Sequence, residues 1–105
     1  MRRAIHLAQL EILTPVLVLT REATRAALPS VTVAPISDTI RGLCSEVPVG
    51  PENGLERVAV VNLDQITTVP TSQLGRRIGY LLPDQEEYLA EAMVNAFDLD
   101  LPIFR

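Results

Sequence analysis

Short apolar runs, each bounded by turn-forming or polar residues, fill the first 82 residues and restrict the chain to a fold made mainly of strands. Residues 16–19 follow Pro15 and are apolar at every position, which is typical of a strand buried on both faces. Residues 5–10 instead alternate, with Ile5 and Leu7 on one face. Trp is absent and Phe and Tyr number two each, so the core must be built from Val, Leu, Ile and Ala, a composition that favours strands.

The spacing of the turn-forming residues predicts several antiparallel strands in series. We predict strands at residues 5–10, 16–19, 31–36, 46–49, 57–63 and 77–81, with an extension of the fifth at 66–69. Residues 21–28 form a predicted connector helix, and Asn53-Gly54 predicts a hairpin turn after the fourth strand. Pro35 predicts a bulge or an edge position in the third strand, because proline cannot donate a ladder hydrogen bond.

The last element is a predicted amphipathic helix that starts after residue 84. Asp84 is the expected cap residue, and Glu87, three positions later, completes a capping box. The helix carries one apolar stripe, made of Leu89, Met93, Ala96 and Phe97. Residues 1–105 are therefore predicted to form one α+β, mainly β domain: a small barrel or curled sheet with a short connector helix and a C-terminal helix packed against it.

The net charge of −4 is unevenly distributed along the chain. Residues 83–105 carry six acidic residues against Arg105, whereas residues 1–82 carry eight Arg against seven acidic residues. All nine basic residues are Arg, which suits bidentate contacts to phosphate, although a biased genome composition explains the absence of Lys equally well. The overall charge therefore argues weakly against a nucleic-acid partner without excluding one.

The cysteine and histidine content excludes several kinds of site. Cys44 and His6 are the only residues of their types, so neither an intramolecular disulfide nor a Cys/His zinc site can form. The N-terminus lacks the apolar run of a signal peptide, and no stretch reaches membrane-spanning length. We therefore expect a cytoplasmic protein that works without a metal or another cofactor.

Two polar stretches interrupt the apolar strands and are the candidate sites of chemistry: Ser37-Asp38-Thr39 and Asn62-Leu63-Asp64-Gln65. Such residues can support RNA cleavage without a cofactor, because the 2′-hydroxyl of the substrate is itself the nucleophile. Hydroxyl, carboxylate and Arg side chains can assist the proton transfers and stabilise charge on the phosphate. The alternative is that both stretches are strand-end turns, in which Ser, Asn and Asp bond their own backbone.

A series of motifs in a fixed order carries a family resemblance. The motifs are Pro15-Val-Leu-Val-Leu-Thr-Arg, Val33-Ala-Pro-Ile-Ser-Asp-Thr-Ile-Arg-Gly-Leu, Glu46-Val-Pro-Val-Gly, Val60-Val-Asn-Leu-Asp-Gln-Ile, Leu74-Gly-Arg-Arg-Ile-Gly-Tyr and the closing Ala96-Phe-Asp-Leu. Together they resemble the MazF/PemK family of toxin endoribonucleases, and short actinobacterial MazF proteins in particular. The resemblance implies an SH3-like barrel that works as a homodimer. It also implies metal-independent cleavage of single-stranded RNA to 2′,3′-cyclic phosphate and 5′-hydroxyl ends, and a MazE-type antitoxin whose acidic tail occupies the RNA groove.

The resemblance also assigns roles to individual residues. Ser37 matches a residue that contacts the scissile phosphate, and Asp64 matches a carboxylate with a catalytic or RNA-positioning role. The residues assigned to RNA binding are His6, Arg21, Thr39, Arg41, Asn62, Gln65, Arg76 and Arg77. A structural role also explains a lone strand histidine such as His6, and a solvated strand start equally explains Arg76 and Arg77.

Thr14 departs from the family pattern at the main catalytic position. Most members have Arg immediately before this proline, and that Arg stabilises the pentavalent phosphate. Thr has one donor, no charge and a shorter reach, so it cannot replace a guanidinium. We interpret Thr14 as an inactivating substitution, since the other family positions are in order. The alternatives are that the natural protein is weakened, or that it uses Arg21 or Arg25 instead.

A toxin of the CcdB type, which shares this barrel and grips gyrase without catalysis, is the second interpretation. Such a protein is expected to use the end of its C-terminal helix. An apolar tail follows the predicted helix here, with Leu99, Leu101, Ile103 and Phe104. We expect this tail to pack in the core or in a dimer, and the Ser37 and Asp64 stretches favour RNA as the target.

Overall fold

Seven antiparallel strands precede one long helix in the computed structural model, which describes residues 3–100. The strands are β1 (Ala4–Gln9), β2 (Leu13–Val18), β3 (Ser30–Ser37), β4 (Glu46–Val49), β5 (Ala59–Asn62), β6 (Thr67–Pro70) and β7 (Leu74–Tyr80). The helices are α1 (Glu22–Arg25) and α2 (Gln85–Phe97), and short 3₁₀ turns occupy Pro51–Asn53, Leu63–Gln65 and Thr71–Gln73. The predicted mainly β architecture with a connector helix and a C-terminal helix is confirmed, although α1 has four residues rather than the expected eight.

The strands form one sheet in the order β4-β5-β3-β2-β1-β7, and β6 pairs with β3 outside this path. The end strands β4 and β7 do not pair with each other in the described part of the chain, so the sheet is open there rather than a closed barrel. Strand β3 is the central strand: it pairs with β2 along one edge and with β5 and β6 along the other.

Pro35 lies in the central strand β3 rather than in an edge strand, but it has no ladder partner on one of its two sides, where the prediction of a bulge or an edge position expects the pairing to be interrupted. It pairs with Val16 of β2 on one side. On the other side, β6 pairs with residues 30–33 and β5 pairs with residues 36 and 37. Pro35 therefore stands between two ladders, at a point where a missing N–H interrupts neither of them.

Strand β2 is buried on both faces, as its continuous apolar run predicts. Val16 and Val18 pack in one cluster with Val31 and Val33, whereas Leu17 belongs to a second, larger cluster. Helix α2 covers this second cluster through Leu89 and Ala92, with Met93 and Ala96 packed at its margin. Phe97 is 52% exposed and does not complete the expected stripe. Residues 101–105, which hold the rest of the predicted apolar tail, lie outside the described residues.

The start of α2 is built differently from the predicted capping box. Asp84 makes no side-chain cap bond. Instead the side chain of Gln85 is buried, and its Oε1 accepts the backbone N–H of Leu82 at 2.8 Å. This bond ties the segment before the helix to its first residue, and it does not replace the cap acceptor, which would bond an N–H inside the first turn.

A buried pair of amides, Asn53 and Gln85, joins the 3₁₀ turn Pro51–Asn53 to α2. Nδ2 of Asn53 donates to Oε1 of Gln85 at 2.6 Å and to the Tyr80 carbonyl at 2.9 Å. Nε2 of Gln85 donates to the Pro48 carbonyl at 3.3 Å. Asn53 is therefore a buried connector, and the segment between β4 and β5 is longer than the tight hairpin turn that Asn53-Gly54 predicts.

Replacing Gln85 by leucine is expected to lower the stability by about 1–3 kcal/mol, because the buried N–H of Leu82 and an amide proton of Asn53 lose their acceptor. Thermal unfolding followed by circular dichroism measures the effect. Glu87→Leu, at an exposed position of the same helix, is the matched control and should change stability by no more than about 0.5 kcal/mol. Equal melting temperatures for the two variants would contradict a stabilising role for the amide pair.

Candidate active site

A cleft of about 590 Å³ opens where β1, β2, β3 and β7 meet the segment that precedes β5. Its polar side chains are Thr14, Ser37, Asp38, Arg57 and Arg76, together with Glu56. Its remaining lining is mostly aliphatic side chains and prolines, including Leu7, Leu13, Pro15, Pro35, Leu55 and Ile78. The cleft thus combines hydroxyl groups and two guanidiniums with an apolar surface that can hold a ring.

Ser37 is the last residue of β3 and is half-buried at the edge of this cleft. Its backbone pairs with Val60 of β5, which fixes the end of the strand. Its Oγ accepts the backbone N–H of Thr39 at 3.0 Å, so the strand-end turn interpretation holds for this stretch. The hydroxyl proton of Ser37 can still be donated to a ligand in the cleft.

Thr14 lies on β2, opposite Ala8 of β1, and faces the same cleft. Its Oγ1 donates to the Ile12 carbonyl at 2.9 Å, two residues earlier in the chain. The single donor of this side chain is therefore used within the β1–β2 connection. The position that the family resemblance assigns to a catalytic Arg lines the same cleft as Ser37, but it carries no charge here.

The cleft contains two guanidiniums, from Arg76 and Arg57. Arg76 comes from β7 and is among the residues that the sequence assigns to RNA binding. Arg57 was not predicted; its Nη1 lies 3.6 Å from Oδ2 of Asp38. The only sequence signal for Arg57 is its place just before a strand and after a glycine turn, which is too common to single it out.

Asp64 lies outside the cleft, so the structure does not bring it together with Ser37. Ser37 pairs with Val60, and Asp64 lies four residues after Val60 in the chain. It therefore follows the end of β5 that is further from Ser37. Its backbone N–H bonds Oδ1 of Asn62 at 3.0 Å, and its carboxylate accepts a hydrogen bond from the buried Ser45. This stretch is also a strand-end turn, with Asn62 buried and Gln65 exposed.

The other predicted site residues are spread over the surface. Nδ1 of His6 bonds the Gly75 carbonyl at 2.9 Å, which links β1 to β7. The guanidinium of Arg77 lies over the ring of Tyr80, 5.0 Å from its centre. Arg21 and Arg25 border a separate, smaller pocket, and Arg25 pairs with Glu22 at 3.8 Å. Neither Arg21 nor Arg25 lines the cleft that holds Thr14, so the structure does not bring either of them to position 14.

Thr39 and Arg41 lie in an exposed loop, residues 38–44, which one carboxylate organises. Glu46 accepts the backbone N–H groups of Arg41, Gly42 and Leu43 through Oε1, at 3.2, 2.9 and 3.2 Å. Gly42 has a φ of +75°, a conformation that favours glycine and turns these N–H groups inward. The loop beside Ser37 is therefore held in one shape by an anion from the protein itself.

Replacing Glu46 by alanine is expected to make the amides of residues 41–43 exchange with solvent about tenfold faster, because they lose their common acceptor. Hydrogen–deuterium exchange measures this, and Glu46→Gln should have a smaller effect because it keeps one carbonyl oxygen. Glu87→Ala serves as the control at an exposed carboxylate. Unchanged exchange in the loop of Glu46→Ala would show that Glu46 does not organise it.

A match to a family model decides the family of this chain, and the relatives named below agree with it. A family model described as a PemK-like, MazF-like toxin of type II toxin–antitoxin systems matches residues 8–97. The chain belongs to this toxin family. Endoribonuclease MazF3 of Mycobacterium tuberculosis is 58% identical over 98 residues, which are 93% of this chain and 95% of that protein. The probable endoribonuclease MazF5 of the same organism is 38% identical, over 80% of this chain and 78% of its own length.

Solved structures confirm the MazF-type fold. The Mycobacterium tuberculosis toxin MazF-mt6 superposes with a TM-score of 0.92 at 57% identity, over 94% of this chain and 100% of that one. An endoribonuclease in complex with its cognate antitoxin, from a mycobacterial species, superposes with a TM-score of 0.84 at 24% identity, over 97% and 98%. No helix in residues 3–100 is long and apolar enough to cross a membrane.

Proposed function

We propose that this MazF-type toxin is a sequence-specific endoribonuclease that binds single-stranded RNA in the cleft around Ser37. The observation that carries the proposal is the cleft itself, in which a hydroxyl and two guanidiniums lie against an apolar surface. Relatives named as endoribonucleases, at up to 58% identity, support the same activity. The protein acts in the cytoplasm, and its reaction needs no metal ion.

In the proposed reaction, the 2′-oxygen of one nucleotide attacks the adjacent phosphorus in line with the departing 5′-oxygen. The new O–P bond closes a 2′,3′-cyclic phosphate as the bond to the 5′-oxygen breaks, while the 2′-hydroxyl loses a proton and the leaving oxygen gains one. Ser37 donates a hydrogen bond to a non-bridging oxygen, and Arg76 supplies positive charge for the phosphate. The apolar lining receives a base beside the cut.

Thr14 makes this reaction slow. A guanidinium at position 14 would neutralise the phosphate and assist the proton transfers. The hydroxyl of Thr14 instead donates its hydrogen bond to the Ile12 carbonyl. We propose that water performs the proton transfers in the unaltered chain, which has threonine at position 14. The active form is therefore obtained by restoring arginine at this position.

The remaining predicted residues are proposed to contact RNA away from the cut. Asp64 and Gln65 form one such surface outside the cleft, and the buried Asn62 positions Asp64 by accepting its backbone N–H. His6, Thr39, Arg41, Arg77 and Arg21 complete the proposed set. A homodimer joins two such chains, and a MazE-type antitoxin places an acidic segment against the arginines of the cleft. The antitoxin in the complex of the mycobacterial endoribonuclease supports a partner of this kind.

The test is cleavage of single-stranded RNA in EDTA by Thr14→Arg and by the unaltered chain. New 5′-hydroxyl ends are detected by labelling with polynucleotide kinase without phosphatase treatment and are mapped by primer extension. A 2′-deoxy nucleotide at a mapped site should abolish cleavage there. If neither form cuts RNA, and a gyrase pull-down with the same protein succeeds, the non-catalytic CcdB-type function is the correct one.

A further inference from the structure

Arg57 is a cation of the cleft to which neither the family resemblance nor the proposed reaction gives a role. It lies between the Gly54 turn and β5, and its guanidinium is 3.6 Å from the carboxylate of Asp38. Asp38 directly follows Ser37 in the chain, and Ser37, Asp38 and Arg57 line the same cleft. The side chains of Arg57 and Asp38 are 73% and 62% exposed, so both remain accessible to a ligand entering the cleft.

We infer that Arg57 binds the scissile phosphate and partly replaces the guanidinium missing at position 14, while Asp38 holds it in place until RNA enters. This inference rests on the proposed function. A phosphate carries the same sign of charge as Asp38 and can accept two paired N–H bonds from Arg, where Asp38 makes one contact at 3.6 Å. Solvent screens an exposed ion pair, so exchanging Asp38 for a phosphate disturbs the fold little.

The geometry favours Arg57 over the other arginines that contact a carboxylate. Arg25 and Arg3 pair with Glu22 and Glu86 beside the separate small pocket. The Asp38–Arg57 pair instead lines the cleft that also holds Thr14 and Ser37. Among the arginines with a described ion pair, Arg57 alone is therefore placed to move from a carboxylate to a phosphate beside Ser37.

The test replaces each member of the pair separately, because Arg57→Gln and Asp38→Asn have opposite expected effects on RNA binding. Binding is measured with a 2′-deoxy oligonucleotide that carries a cut site mapped with Thr14→Arg, so that no cleavage occurs. Arg57→Gln should weaken binding about tenfold and reduce the slope of log K against log salt concentration by about 0.7, the value for one lost phosphate contact on a single strand. Asp38→Asn should tighten binding several-fold, because it removes a negative charge that competes with the phosphate.

A purely structural pair would behave differently, since both variants break it and both would then weaken binding. Arg25→Gln is the control: it also removes an arginine from an ion pair, but outside the cleft and at a less exposed side chain, and should leave binding unchanged. Shifts in the same direction for Arg57→Gln and Asp38→Asn, or an effect of Arg57→Gln no larger than that of Arg25→Gln, would overturn the inference.

The kinetic arm separates this inference from the proposed function. Arg57→Gln should slow cleavage less in a Thr14→Arg background than with threonine at position 14, because two guanidiniums that serve one phosphate compensate for each other. If Thr14→Arg cuts RNA and Arg57→Gln leaves binding and cleavage unchanged, the inference fails and the function stands. If Thr14→Arg cuts no RNA, the proposed function fails and the inference fails with it.

Discussion

Thr14→Arg is expected to cleave single-stranded RNA about 100 to 1,000 times faster than the unaltered chain, the usual effect of one positioned donor on a reaction that builds negative charge. Position 14 lines the cleft together with Ser37, so a guanidinium there is added beside the proposed phosphate site. An effect on proton transfer would add to this factor. The measurement is the initial rate on one mapped RNA, in EDTA, at equal protein concentrations.

Control variants separate charge from size at position 14. Thr14→Gln lengthens the side chain and adds amide donors but no charge, and we expect it to remain as slow as the unaltered chain. Thr14→Lys restores a charge without the planar fork that matches two phosphate oxygens, so it should recover only part of the rate. Circular dichroism melts show whether all variants are folded. Equal rates for the unaltered chain and Thr14→Arg would contradict the interpretation of Thr14 as an inactivating residue.

The strands could be predicted because each carries its own signal. Strand β2 is apolar at every position from Val16 and is buried on both faces, and the alternation in residues 5–10 identifies β1. Position 14 could be singled out as well, because the family resemblance gives an expectation for the residue before Pro15. In these cases the information lies within a few neighbouring residues, where local physics acts.

Contacts between distant segments could not be predicted in the same way. Gln85 stands in an acidic first turn of α2 that indicates a solvated surface, yet it is buried against Asn53, 32 residues earlier. The Asp38–Arg57 pair spans two loops, and its formation depends on how the segment after β4 folds back along the sheet. Ser37 and Asp64 carry equally polar patterns, and only the β3–β5 register separates them. The hydroxyl of Ser37 and the absence of an arginine at position 14 could therefore be predicted from the sequence. The place of Arg57 in the cleft could not.

The close approach of Gly79 to the turn after β4 underlies the second large expected effect. A Cβ on Gly79 would lie 1.8 Å from the carbonyl oxygen of Asn53, which no real contact permits. The approach is reciprocal, since a Cβ on Gly54 would lie 2.0 Å from the Ile78 carbonyl oxygen. The hydrogen bond from Asn53 to the Tyr80 carbonyl crosses the same contact. Strand β7 and the turn can therefore pack together only when both positions lack a side chain.

Gly79→Ala is expected to destabilise the protein by about 3 kcal/mol or more, because the added methyl must push one backbone away from another rather than displace a flexible side chain. For a domain of this size that corresponds to a fall in melting temperature of roughly 12–24 °C. Gly42→Ala is the matched control: its Cβ meets nothing within 4 Å, so only the positive φ costs energy, about 1 kcal/mol. Similar melting temperatures for the two variants would show that the turn and β7 can separate freely. Leu55 and Ile78, which adjoin the two glycines in the chain, line the cleft, so RNA cleavage by Thr14→Arg should weaken when Gly79→Ala is added.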